Sequence, residues 1–287
     1  MLAIYKKEML GYFTHMMGYV FLAFTLLVIG VGFTFSNVFG LNANFHQSLS
    51  GALMFFFILI PVLTMRLFSE EARQKTDQLI FTSPLSIGAI VLGKFFAAFT
   101  LFTIATAITM VMPFMLSRFG ELPLNHIIGT YVAFLLIGSA CIGVGLFISV
   151  LTDNQIIAAV ITIGAIFALF VIDSVAVIIP ATTFASFAFV LLVTILVVAI
   201  LYNATRKIVP AIIVAVIALG AVAGVYFYNN LLFDGLIFRF LIWLSIFGRF
   251  GNFSRGILNT RDIIYYISFT ALFVYFTINV IEKRRWR

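Results

Sequence analysis

The densest group of chemically capable side chains is Glu70-Glu71-Ala72-Arg73-Gln74-Lys75-Thr76-Asp77-Gln78, followed by Leu79-Ile80-Phe81-Thr82-Ser83-Pro84-Leu85-Ser86. Carboxylates and cations this close suit ion pairing and docking. On a helix, Phe68, Ala72, Thr76 and Leu79 share one face, and Glu70, Gln74, Asp77 and Gln78 cover the other. Glu71 and Lys75 stand in the favourable i,i+4 order, and Pro84 ends the run. The spacing predicts an amphipathic helix over Ser69–Phe81, a surface that another protein can push.

Other candidates for chemistry are dispersed. His15, His46 and His126 fall on different sides or loops, with no His-Glu-x-x-His and no mid-span carboxylate pair, so no catalytic metal site is expected. Cys141 is the only cysteine, which excludes a disulfide or thiolate metal site within the chain. Gly93-Lys94-Phe95 lacks the glycine spacing and the hydroxyl of a nucleotide phosphate loop. The chain is therefore expected to be no enzyme and to bind no cofactor. Asp153, beside Asn154, reads as a turn and helix N-cap. Asp173, close to Pro180, reads as interfacial at the outer end of a span.

These residues are set in an extremely apolar chain. Of 287 residues 63% are hydrophobic and 9% charged, against about 25% charged in a soluble domain. Lipid must solvate most of it. A spanning helix needs about 20 apolar residues, and the runs are continuous rather than alternating, which excludes a barrel. Eight spans are expected: Met17–Phe35, Leu49–Leu67, Ile87–Leu116, Ile127–Leu151, Gln155–Ile178, Phe184–Tyr202, Val209–Tyr228 and Ile263–Ile281. The third is long enough to tilt or to kink at Pro113. The fold expected is all-α, a polytopic helical bundle forming one membrane domain over 1–287. Gly30 with Gly32, Ser139 with Gly143 and Gly145, and Gly220 with Gly224 provide small faces for close packing.

Charge sets the orientation. Lys6, Lys7, Arg66, Arg73, Lys75, Lys94, Arg206, Lys207, Lys283, Arg284, Arg285 and Arg287 fall on one side, and Arg118, Arg239, Arg249, Arg255 and Arg261 on the other. Both termini are expected in the cytoplasm. The net charge of +7 is thus topological, and no nucleic acid is expected. Residues 1–16 form an interfacial helix with Leu2, Tyr5, Met9, Tyr12, Phe13 and Met16 on its apolar face and Lys7, Gly11, Thr14 and His15 opposite. They do not read as a cleavable signal. Residues 229–262 read as an external segment on or dipping into the membrane, whose arginines oppose the charge bias and are expected to meet headgroup phosphate or acidic partners, with a direct role toward substrate as the alternative. Asp234, Gly235 and Arg239 interrupt its apolar run Leu231–Phe247.

The first loop resembles the coupling helix of ABC-2-type transporter permeases through Glu70-Glu71, Thr76-Asp77 and Ser83-Pro84-Leu85-Ser86, with Leu92-Gly93-Lys94 following. Phe253-Ser254-Arg255-Gly256 and Arg261-Asp262 before the last span are similar, more narrowly, to the gliding-motility-associated ABC permease subfamily. Family members usually carry Gly where Lys75 stands and Glu where Asp77 stands, and many have six spans. The resemblance implies a multi-pass permease subunit of a bacterial cytoplasmic membrane. Its partners would be ATPase subunits that carry ATP and Mg, a second permease of the same or a different chain, and membrane lipid, with room for an extracytoplasmic accessory protein. Coupling would fall to Glu70, Glu71, Arg73, Thr76, Asp77 and Leu79. Phe250, Phe253, Arg255, Arg261 and Asp262 would contact a partner or substrate outside. A scaffold or signalling subunit worked by an ATPase, and a secondary transporter, are the alternatives. The charge-free span centres speak against the second.

Overall fold

The computed structural model of the chain describes residues 1–14, 16–42, 44–75, 85–118, 123–179, 182–205, 214–218, 220, 224, 226, 228 and 233–285. Among them the secondary structure is helical, without strands. The helices are α1 (Leu2–Thr14), α2 (Met16–Phe33) with a π-helical continuation Thr34–Phe39, α3 (His46–Leu53), α4 (Phe56–Thr64), α5 (Ser69–Arg73), α6 (Ile87–Ile108), α7 (Val111–Leu116), α8 (Leu124–Leu151), α9 (Gln155–Ile178), α10 (Thr183–Thr205), α11 (Leu236–Leu244), α12 (Phe250–Ser254) and α13 (Thr260–Arg285). Contacts divide the chain into two units, one of Met1–Leu169 with Arg249–Arg287, the other of Phe170–Gly248.

Among the described residues five helical stretches are long and apolar enough to cross a membrane: Met16–Phe39, Ile87–Leu116, Leu124–Leu151, Gln155–Ile178 and Thr260–Arg285. They cover the first, third, fourth, fifth and last expected spans. The second expected span is not one straight helix. It is the pair α3 and α4, bent by 62°, which makes six if the pair crosses as one. Pro61 lies inside α4 and has no N–H for the Phe57 carbonyl, which weakens the turn next to the bend at Met54–Phe55. The third span breaks for the same reason. Pro113 cannot donate to the carbonyl of Thr109, and α6 gives way to α7 at Thr109–Met110. The expected seventh span, Val209–Tyr228, falls mostly outside the described residues.

The first unit is built around α8. Small residues let its neighbours approach. A Cβ on Gly145 would overlap the Thr64 side chain of α4, and one on Gly129 would overlap the Phe253 carbonyl of α12. The ring of Phe134 packs between Phe56 and Phe102, with centroids 5.0 and 5.6 Å away. α13 lies along α8, where the hydroxyls of Ser139 and Thr270 meet at 3.3 Å. Buried threonines return their hydroxyls to the carbonyl four residues back, as Thr25, Thr64, Thr106 and Thr270 do, so these four donors are satisfied away from water.

The second unit holds α10 and α11. The Phe187 ring meets Tyr226 in a tilted contact with centroids 4.3 Å apart, and Phe189 meets Phe240 likewise at 5.6 Å. α11 has 9 residues, about 14 Å of helix at 1.5 Å per residue, too short to span. It carries the apolar part of the expected external segment 229–262, which the two units divide between them. Asp173 is half-buried, its carboxylate packed against Gly248, where a Cβ would come within 2.7 Å of it.

Candidate functional site

Lys94 sits in the second turn of α6 with a side chain only 2% exposed. An ammonium so deep needs matching charge, because desolvation costs several kcal/mol per ion, to order of magnitude. Its Nζ lies 2.9 Å from Glu8 Oε1 of α1 and 2.9 Å from Glu71 Oε1 of α5, and it donates to the Leu67 carbonyl at 2.6 Å. The Phe68 ring stands 5.0 Å from the same nitrogen, within cation–π range. Lys7 reaches Glu71 from outside at 3.3 Å. Lys7, Glu8, Glu71 and Lys94 thus form a neutral tetrad that ties α1, α5 and α6 together.

Each element is fixed by its own residues. Gly93, next to Lys94, lets α1 close on α6: a Cβ there would meet Ile4 Cβ at 3.1 Å. Tyr5 and Tyr12 donate to Thr100 Oγ1 at 3.3 Å and to the Leu63 carbonyl at 3.4 Å. Burial, with the Glu8 charge beside it, pushes the Tyr12 phenol well above its ordinary pKa. The first N–H groups of α5 need acceptors that its own sequence lacks. Ser149 of α8 provides one, accepting from Phe68 N at 3.1 Å and Ser69 N at 3.2 Å. The Ser69 hydroxyl binds the Met65 carbonyl.

The first loop departs from the expected geometry. The helix predicted as one piece over Ser69–Phe81 ends at Arg73, and Lys75 adopts φ +56°, the left-handed region that stops a helix. That turn removes the expected Glu71–Lys75 pairing. Glu71 points inward to Lys94 and Lys7 instead, and Arg66 and Glu70 form the loosely spaced i,i+4 pair at 3.9 Å. Arg73, Gln74 and Lys75 are exposed and Glu70 is half-buried. Thr76, Asp77 and Leu79 lie outside the described residues.

α1 presents the expected face in part. Tyr5, Met9, Tyr12 and Phe13 are half-buried, as are Ile4, Glu8 and Gly11 beside them, whereas Leu2 and Met16 are exposed. Glu8, Lys7 and Lys94 were not legible as one site. The available signals were a single carboxylate within the 4-5-8-12 strip of α1 and a single cation in the otherwise uncharged α6.

The far end of α8 holds the second expected group. Asp262 is buried at the start of α13, with Arg249 Nη1 at 2.6 Å and Asn252 Nδ2 at 3.2 Å, and the Arg249 guanidinium lies 3.9 Å from the Tyr265 ring centre. Phe250 and Phe253, expected to meet a partner or substrate, are buried and hold α12 in the fold. Arg255 and Arg261 are exposed. Beside α9, Asn154 rather than Asp153 supplies the cap, accepting from Ile156 N at 2.9 Å, and Asp153 faces Arg284 at 3.9 Å. Among the described residues no three His, Cys, Asp or Glu side chains gather to hold a metal.

Compared with models of known protein families, with curated proteins and with solved structures, the chain matches none. The apolar helices and their lengths define a helical membrane protein.

Proposed function

We propose that the chain is the permease subunit of an ABC-type transporter. It crosses the cytoplasmic membrane eight times with both termini inside. It pairs with a second permease and converts ATP hydrolysis on separate ATPase subunits into movement of a substrate. The Lys94 tetrad carries this reading. A carboxylate of the first loop is locked to a buried lysine of α6 and through it to α1, so force applied to α5 reaches two further helices through short charged contacts rather than a slack tether. The resemblance of residues 70–86 to coupling helices supplies the source of that force.

The charge pattern supports the orientation. α8 runs from Asn125 at one end of the first unit to Ser149, which touches α5, at the other. At the tetrad end lie Lys6, Lys7, Arg66, Arg73, Lys75, Lys94, Lys283, Arg284 and Arg285, and at the far end Arg118, Arg249, Arg255 and Arg261. The excess falls on the side of the loop, as the positive-inside rule requires of a cytoplasmic face.

Co-purification in mild detergent tests the reading. Replacing Glu70 and Asp77 together by Lys should lower recovery of the ATPase. Glu71→Gln should leave recovery intact but uncouple hydrolysis from transport, because that residue faces inward. Unchanged recovery and unchanged hydrolysis in the first variant would overturn the proposal.

A further inference from the structure

At the end of α8 remote from the tetrad, an open cleft of about 400 Å³ is lined by Pro123, Leu124, Asn125, His126, Arg255 and Gly256. Gly256 adopts φ +76°, and a Cβ there would come within 3.1 Å of His126 Cδ2, so a side chain at this point would be strained where the chain folds over His126. Arg255 is exposed, and no described carboxylate is bonded to it. Asp262, the nearest acidic residue in the chain, is occupied by Arg249 and Asn252. Leu124 and Ile128, one turn apart on α8, are 68% and 55% exposed, and Ile257 and Leu258, which follow the cleft, are 58% and 53% exposed. A cationic, polar-lined recess bordered by a bare apolar strip suits a molecule with an anionic head and a hydrocarbon tail. A guanidinium binds phosphate oxygens with two parallel N–H groups, and leucine and isoleucine gain from covering by a chain that water does not provide.

We propose that this cleft binds the phosphate head group of an anionic phospholipid. Arg255 and Asn125 donate to the phosphate, and an acyl chain lies along Leu124 and Ile128. The site does not depend on the chain being driven by an ATPase.

The probes are phosphatidylglycerol and phosphatidylcholine with identical acyl chains, titrated onto the purified full-length protein and followed by native mass spectrometry. Phosphatidylglycerol should bind tighter than phosphatidylcholine. Arg255→Gln should weaken it about tenfold, the loss expected for a charged hydrogen bond, with circular dichroism unchanged. Arg261→Gln, an exposed arginine outside the cleft, should leave it unaltered. Arg255→Lys, which keeps the charge but not the two-pronged geometry, should fall between and guards against misfolding of the glutamine variant. Millimolar inorganic phosphate should not displace the lipid. Displacement by phosphate alone would assign the cleft to a free anion and overturn the proposal. Equal losses from Arg255→Gln and Arg261→Gln, or equal binding of the two lipids, would overturn it as well.

Discussion

Lys94 concentrates the energetic argument at the scale of one residue. Its side chain has left water, and two carboxylates, a carbonyl and an aromatic ring replace the lost hydration. Such a group adds little over a well-packed apolar residue while its partners are in place, but removing one partner strands the others and costs about 3–5 kcal/mol. Lys94→Met should therefore lower the thermal unfolding midpoint in detergent sharply. Adding Glu8→Gln and Glu71→Gln to it should restore part of the loss, since no buried carboxylate then lacks its counter-charge. A triple variant as unstable as the sum of the single ones would contradict direct coupling. Asp262 is the equivalent at the other end of the bundle. Asp262→Asn should release Arg249 from α13 and destabilise by a similar amount, read as greater protease sensitivity around α12.

Backbone geometry decides the first loop at the scale of the element. Lys75 is held at φ +56°, which costs a non-glycine residue about 1–2 kcal/mol. Lys75→Gly should relieve that strain and, after the entropy that glycine loses on folding, stabilise by up to about 1 kcal/mol. Lys75→Pro, restricted to negative φ, should destabilise; calorimetry distinguishes the two outcomes. Gly145→Val should cost about 1–3 kcal/mol by overpacking α8 against Thr64. These details mark where sequence reading reached its limit. Long apolar runs such as Gln155–Ile178 were legible because lipid permits little else. The break near Pro113 was signalled by the missing N–H, but the 62° bend near Pro61 was not expected and depends on what packs around it. Phe250 and Phe253 looked like contact residues until tertiary packing buried them. Glu8 and Lys94 stand 86 positions apart, and no periodicity within α1 or α6 announces a pair that only folding brings together.

The two ends of the first unit have different chemistry at the scale of the whole molecule, and under the proposed function that difference sets which way a transmitted force would run. From Asn125 to Ser149, α8 rises roughly 36 Å at 1.5 Å per residue, comparable with the hydrocarbon core of about 30 Å. The tetrad and the Arg255 cleft therefore lie at opposite ends of a helix long enough to cross a membrane. A cytoplasmic ATPase can act on α5 only if the tetrad faces inward. Cys141 is buried, so Cys141→Ser gives a thiol-free background into which single reporters can be placed. Gln74→Cys marks the exposed end of the first loop, and Gly251→Cys the exposed surface of α12, where added side-chain atoms meet nothing within 4 Å. A membrane-impermeant maleimide applied to intact cells should label Gly251→Cys and spare Gln74→Cys. Permeabilising the membrane should make Gln74→Cys reactive as well. The reverse pattern would place the acidic loop outside, beyond the reach of any ATPase that uses cellular ATP. That outcome would overturn the proposed coupling through Lys94.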